Sequence, residues 1–195
     1  MTLVGGGLFL MDRGLPTASS DGLTLTPLMA TSAPDTVEVV FDTPAPLEKG
    51  RWQCIVIHDS GSPVGSPASL DALARANNLR GLGYHFVIGN GNGMDDGQLA
   101  VGRRWLDQVP GAHVAGANAD WYNRHSIGIC LVGDGSRNAF SPAQVRRLVQ
   151  LVDALCHEFK IPPNKVLLHS QICTSDDPGR LFPEAVLRAQ LSRNP

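Results

Sequence analysis

Short, almost unbroken apolar runs punctuate this chain from residue 53 onward, and between them lie segments whose apolar residues recur at helical spacing. QCIVIH, YHFVI, SIGICLVG and KVLLHS are each compact and bounded by Gly, Ser, Asn or Pro. Runs of this length read as strands buried within a sheet. YHFVI leaves through GNGNGMDDG, a glycine-rich turn of hairpin type that returns along QLAVGR. Ser66-Pro67 supplies an N-cap and a first-turn proline for a helix running to about Leu79. Ser141-Pro142-Ala143-Gln144 is a capping box that opens the clearest helix. In it Val145, Leu148, Val149, Val152, Leu155, Cys156 and Phe159 form the core-facing stripe, leaving Arg146, Arg147, Asp153 and Lys160 for water. FPEAVLRAQL reads as a closing helix. Strands and helices in this order predict an α/β fold, one domain with a central mixed β-sheet flanked by helices.

Residues 1–50 differ from the rest. Five prolines and several Ser/Thr clusters interrupt every apolar run there, which predicts an irregular N-terminal arm with one short strand at Val37 to Phe41. The compact domain is expected over 51–195. The segment RWLDQVPGAHVAGANADWYNRH is expected to be a long loop, and loops of that length in compact domains usually serve function.

The whole-chain numbers remove some options. A length of 195 residues with 43% hydrophobic and 17% charged residues suits one ordinary core. A formal net charge of -2 gives no electrostatic reason for nucleic acid or an anionic membrane as partner. The apolar stretch from Leu3 to Met11 is broken by three glycines, lacks a basic leader and is too short to span a bilayer, so neither a signal peptide nor a membrane span is expected. Cys54, Cys130, Cys156 and Cys173 show no CxxC spacing; buried free thiols are the favoured reading, one or two disulfides the lesser one.

Three positions carry candidate chemistry. His58 ends IVIH, His169 ends VLLH, and Asp177 stands in the loop segment DDPG. Each histidine closes an apolar strand, which places both imidazoles at strand exits. Two His and one carboxylate make an open catalytic zinc set whose fourth position is left for water. Each residue has a plainer reading: a hydrogen-bonded structural histidine, or an Asp-Pro-Gly turn. Cys173 is a rival third ligand, four residues after His169.

The motifs IVIH, GYHFVIGNG, GAHVAGAN, SIGICLVGD, a Gln-containing helix, LLH and DPG occur here in the order and approximate spacing of one family. The chain resembles the type 2 N-acetylmuramoyl-L-alanine amidases, a family that includes bacterial and phage amidases and the animal peptidoglycan recognition proteins. The resemblance spans about Gln53 to Leu191. It implies one Zn2+ per chain held by His58, His169 and Asp177, and hydrolysis of the amide between N-acetylmuramic acid and L-alanine in peptidoglycan. It assigns catalytic roles to Tyr84, whose hydroxyl lies near the zinc-bound water in relatives, and to Ser175, which stands where relatives carry Lys or Thr. Another branch uses a glutamate on the strand matching SIGICLVG, where this chain has Cys130. His113 and Asn118, in GAHVAGAN, are implied to line the groove that contacts the muramyl-peptide.

Trp105, Trp121 and Tyr122 flank that loop as a carbohydrate-stacking wall, with Trp121 the chosen substrate contact, or as a hydrophobic anchor. His85 alternates with Tyr84 and reads as structural. The partner is then peptidoglycan or a muramyl-peptide fragment, the chain a monomer, and the compartment the cell envelope or the outside of the cell. Two other readings stay open: a module that binds muramyl-peptide without cutting it, and a zinc hydrolase of other small amides.

Overall fold

The computed structural model describes residues 37–193. Its centre is a five-stranded sheet in the order β3-β2-β4-β1-β5. The strands are β1 (Cys54–Asp59), β2 (Phe86–Ile88), β3 (Leu99–Val101), β4 (Ser126–Leu131) and β5 (Val166–Leu168). β1 lies parallel to both β4 and β5, β2 is parallel to β4, and only β3 runs antiparallel, as the return arm of the hairpin from β2. β4 is buried along its whole length and β1 along all but its last residue. That burial is what makes their sequences continuous apolar runs rather than alternating ones.

Helices cover both faces. On one side α4 (Pro142–Phe159) and α5 (Glu184–Leu191) close a core built from Trp52, Ile55, Ile57, Phe86, Ile127 and Ile129 with Leu148, Leu151 and Leu155. On the other, Leu70 of α1 (Pro67–Ala76) packs with Val87, Ala100, Cys130 and Val132. Both predicted N-caps form as capping boxes, with proline in the first turn. α1 stops at Ala76, short of Leu79, because Asn78 adopts a left-handed conformation (φ 61°) that breaks the helix.

Two expectations are corrected. Val37 to Phe41 is no strand: Glu38–Phe41 forms a 3-10 turn. Val37 and Val40 are buried while Val39 is 61% exposed, a period of three that a strand does not provide. The Val40 carbonyl accepts the indole N–H of Trp105 (2.6 Å), not a ladder amide. The rest of the expected strand-bearing arm, residues 1–36, lies outside the described residues. The long loop is also partly helical, with α2 (Arg103–Leu106) at its start and α3 (Ala119–His125) at its end. Trp105 is fully buried between Trp52, Phe86 and Phe159, so for this tryptophan the anchoring reading holds.

The four cysteines are free thiols, Cys54 and Cys130 buried and the other two half-buried. No helix among the described residues is long and apolar enough to cross a membrane.

One polar side chain joins α4 to the sheet. Gln144 is buried; its amide nitrogen donates to the carbonyls of Val132 (2.8 Å) and Ile88 (3.3 Å), while its oxygen accepts from the Ser141 N–H (3.1 Å). Gln144→Leu removes half of the capping box and strands the Val132 carbonyl. Urea unfolding should show a loss of about 2 kcal/mol; a loss too small to resolve would mean that packing alone seats the helix.

Candidate metal centre at the ends of two parallel strands

β1 and β5 are parallel neighbours with Ile57 opposite Leu168. The next residue on each is a histidine, so His58 and His169 leave the sheet side by side, their rings 4.5 Å apart. Past His169 a short 3-10 turn (His169–Gln171) throws the chain outward, and the following loop brings Asp177 back over both. Asp177 Oδ2 lies 3.0 Å from His58 Nδ1 and 2.9 Å from His169 Nδ1. Its Oδ1 accepts the Asp59 amide at 2.6 Å.

These three residues offer ligand atoms that all fall within 4.8 Å of one another. His169 Nδ1 is buried and close to the carboxylate, yet no hydrogen bond aligned with it forms. His58 Nδ1 pairs with the carboxylate and His169 Nδ1, as near, is left over; two imidazoles converging on one carboxylate suit a shared cation such as zinc. Burial pushes the His58 pKa down, with Asp177 opposing, so the ring is held unprotonated. For Asp177, burial alone acts upward, but the nearby His169 and His58 imidazoles and the hydrogen bond from the Asp59 amide bring its pKa below the ordinary carboxylate value. The set thus brings an imidazole nitrogen from each strand end to one carboxylate anion.

Cys173 is not among them. Its sulfur sits 3.0 Å from His169 Nε2, on the far side of the ring from Asp177. It stands behind a candidate ligand, and among the described residues it joins no cluster of metal-binding groups.

Tyr84 and His113 are gathered around His58, with ring centroids at 5.2 Å and 5.0 Å. The Tyr84 hydroxyl is half-enclosed beside the Cys130 thiol; burial, then the negative charges around it, push its pKa far up, and Cys130 is likewise pushed well above a free thiol. Both keep their protons. His113 Nδ1 lies 3.0 Å from His58 Nε2. Among the described residues, Ser175 touches the site only through Asp177, whose backbone N–H its hydroxyl accepts at 3.1 Å.

Asn118 and Trp121 stand apart. Asn118 precedes α3, and Trp121 is 44% exposed on it, edge-on to Tyr122 at 5.1 Å. Trp121 also lies 5.3 Å from the His125 ring, and among the described residues neither Asn118 nor Trp121 is joined to His58, His113 or His169 by a hydrogen bond or ring contact. His85 is structural: its Nδ1 accepts the Gly128 amide (2.9 Å) and its Nε2 donates to the Val109 carbonyl (3.2 Å), linking β4 to the loop.

Two supporting residues were not among those expected. Asp59, directly after His58, accepts the amides of Gly61 and Gly135 and so ties the strand exit to the loop on which 178–181 rests. Asn123 clamps the GAHV segment, its oxygen accepting the His113 and Val114 amides and its nitrogen donating to the Val114 carbonyl. An acidic residue at a strand exit was the one available sign of the first. Nothing marked the second.

A sequence model of the family described as N-acetylmuramoyl-L-alanine amidase matches residues 48–180. The chain belongs to this amidase family. Peptidoglycan-recognition protein LB of Drosophila melanogaster is 31% identical over 157 residues, 74% of this chain and 59% of that protein. The endolysin of Enterobacteria phage T3 is 29% identical over 120 residues, 57% of this chain and 72% of that one. The chain thus spans about three-fifths of the recognition protein and nearly three-quarters of the endolysin. Among solved structures, the N-acetylmuramoyl-L-alanine amidase LysC from Clostridium intestinale matches with a TM-score of 0.64 at 25% identity, covering 76% of this chain and 91% of that one. Drosophila LB matches at 0.52 and 26% identity, covering 68% and 78%. The amidase-family match includes His58, His169 and Asp177 and ends at Arg180, before α5.

Buried neutral histidines make this amidase-family fold acid-sensitive. His85 is held down to about 3 by burial, against an ordinary value of 6.5. Its contribution is therefore complete above pH 6.5 and is lost as the pH falls from there towards 3, at about 1.4 kcal/mol per pH unit for one proton. Urea unfolding of chelator-treated protein between pH 8 and pH 5 should show this slope. His85→Gln should be less stable at pH 8 but lose less on acidification; equal slopes would assign the sensitivity elsewhere.

Proposed function

We propose that the chain is a zinc-dependent hydrolase that cuts the amide bond between N-acetylmuramic acid and L-alanine in peptidoglycan, with one Zn2+ held by His58, His169 and Asp177. The observation carrying this reading is the meeting of two Nδ1 atoms and one carboxylate oxygen, inside the stretch matched by the amidase family. Bound there, zinc supplies Lewis acidity, polarising an amide carbonyl and acidifying water near neutral pH.

The chain's own residues do the rest. Three protein donors leave an open position for the reacting groups. Tyr84, kept protonated, serves as a hydrogen-bond donor to the oxygen that gains charge as the carbonyl becomes tetrahedral; it is not a base. Cys130 remains a thiol and offers no carboxylate chemistry. Ser175 spends a lone pair on Asp177 and keeps its hydroxyl proton for donation. Asn118 and the exposed Trp121 are the proposed contacts to peptide and sugar. A cell-wall substrate places the action at the envelope.

Binding of muramyl-peptide without cleavage is the second reading. It is favoured by Ser175, a short neutral side chain where the family pattern has Lys or Thr.

Metal analysis should find about one zinc per chain. Its removal by chelation should abolish amide cleavage, and zinc should restore it. His58→Ala, His169→Ala and Asp177→Ala should each lose both metal and turnover. Full activity in verified metal-free protein refutes the zinc assignment, and tight binding without product in the zinc-loaded protein favours the second reading.

Tyr84→Phe should lower kcat on the order of a hundredfold with KM and zinc content little changed, because the hydroxyl acts on charge that develops during reaction. Ser175→Ala should be milder, and Ser175→Thr or Lys should raise the rate. Wild-type kcat in Tyr84→Phe removes the tyrosine from the chemistry.

A further inference from the structure

His113 is placed with more care than a groove contact needs. Its backbone is pinned by Asn123, and the residues before it by Gly111 N–H to the Asn123 carbonyl (2.8 Å) and Ala112 N–H to the Gly83 carbonyl (2.9 Å). Its ring lies against Gly128 of β4 and against Gly111; a side-chain carbon added at either glycine would overlap the imidazole. Gly128 is the one residue in the apolar run of β4 without a side chain, and the vacated space is filled by this ring. The residue is only 8% exposed.

The contact that results is specific. His113 Nδ1 faces His58 Nε2 at 3.0 Å, and His113 Nε2 is buried with no hydrogen-bond partner. One hydrogen lies between the two facing nitrogens. His58 presents Nδ1 to Asp177 and His169, so an imidazole that gives that lone pair to a metal carries its proton on Nε2. That proton then points at His113 Nδ1, and the proton of His113 resides on the unpartnered Nε2.

We infer that His113 is a positioning residue for His58: it accepts the His58 Nε2–H, fixing the tautomer and the ring plane that aim Nδ1 at the metal position. The inference rests on the zinc reading above. Outer partners of ligand histidines act in this way, and their loss typically weakens metal binding tenfold to a hundredfold. Asn123, Gly111 and Gly128 serve the same end one step further out, by holding the ring that holds the ligand.

The test compares zinc affinity, by competition with a chromophoric chelator, in wild type, His113→Leu and His113→Asn. Leucine keeps the bulk and removes the acceptor; asparagine sets its Oδ1 close to where Nδ1 stood. His113→Leu should bind zinc on the order of tenfold to a hundredfold more weakly, and His113→Asn should recover to within a few-fold of wild type. Thermal unfolding of the metal-free variants separates this effect from loss of fold. A measurement needing no substitution is the 15N spectrum of histidines in the zinc-loaded wild type. It should show His58 protonated at Nε2 with Nδ1 bound to metal, and His113 protonated at Nε2. Wild-type affinity in His113→Leu, or a proton on His113 Nδ1, overturns the inference while leaving the zinc reading intact. A wild-type protein that takes up no zinc defeats both.

Discussion

The Asp177 carboxylate, drawn between two strand-end histidines, is the interaction on which the arrangement of this molecule turns. His58 and Asp177 are 119 residues apart in sequence. They meet because β1 and β5 run parallel in adjacent positions with their ends in register, which sets two imidazoles next to each other at one edge of the sheet. An antiparallel pairing would have sent the two histidines to opposite ends. The loop after β5 then has one task, to return a single carboxylate oxygen to the point between them. Asp59, at the end of β1, helps by donating its amide to that carboxylate and accepting the Gly135 amide from the loop beneath residues 178–181.

Burying a carboxylate among imidazoles is unfavourable unless its lone pairs and theirs are used. Here the nitrogen of each histidine directed away from Asp177 is also engaged, His58 by His113 and His169 by Cys173. The rings are thereby fixed from behind, and what faces the site is the Nδ1 of each imidazole and one carboxylate. A dication answers that arrangement better than a proton, since a proton satisfies one nitrogen and leaves the other facing the carboxylate without an aligned bond. Tyr84 adds a neutral donor at the same place, and its neighbour Cys130 adds no charge.

Much of the sheet was legible because its strands are interior and therefore uniformly apolar, and because Ser66-Pro67 and Ser141-Pro142 announce helix starts in side-chain chemistry. The two strand-end histidines stood out because each closes an apolar run, whereas the Asp-Pro-Gly segment reads alone as a turn and was joined to them by the family resemblance. What escaped was set by tertiary contacts. Val37 to Phe41 has strand-forming residues, yet Val40 gives its carbonyl to Trp105 and its side chain to the core, and a 3-10 turn results. α2 and α3 are too short for periodicity to show, and α2 is held by one buried tryptophan. Leu151 and Gln144 lie on the buried side of α4, the second because a polar side chain there serves backbone carbonyls that only the folded sheet exposes. Asn123 reads as an ordinary polar helix residue until the loop it clamps is in place.

The central claim is that this site cuts one particular amide. Mass spectrometry of purified muropeptides after incubation with the zinc-loaded protein tests it most directly. The account predicts stem peptides released with a free L-alanine amino terminus, beside unbroken sugar chains that still end in intact N-acetylmuramic acid. Paired carboxylates of the glycosidase kind were not evident in the sequence, so new reducing sugar ends without a new alanine amine would contradict it.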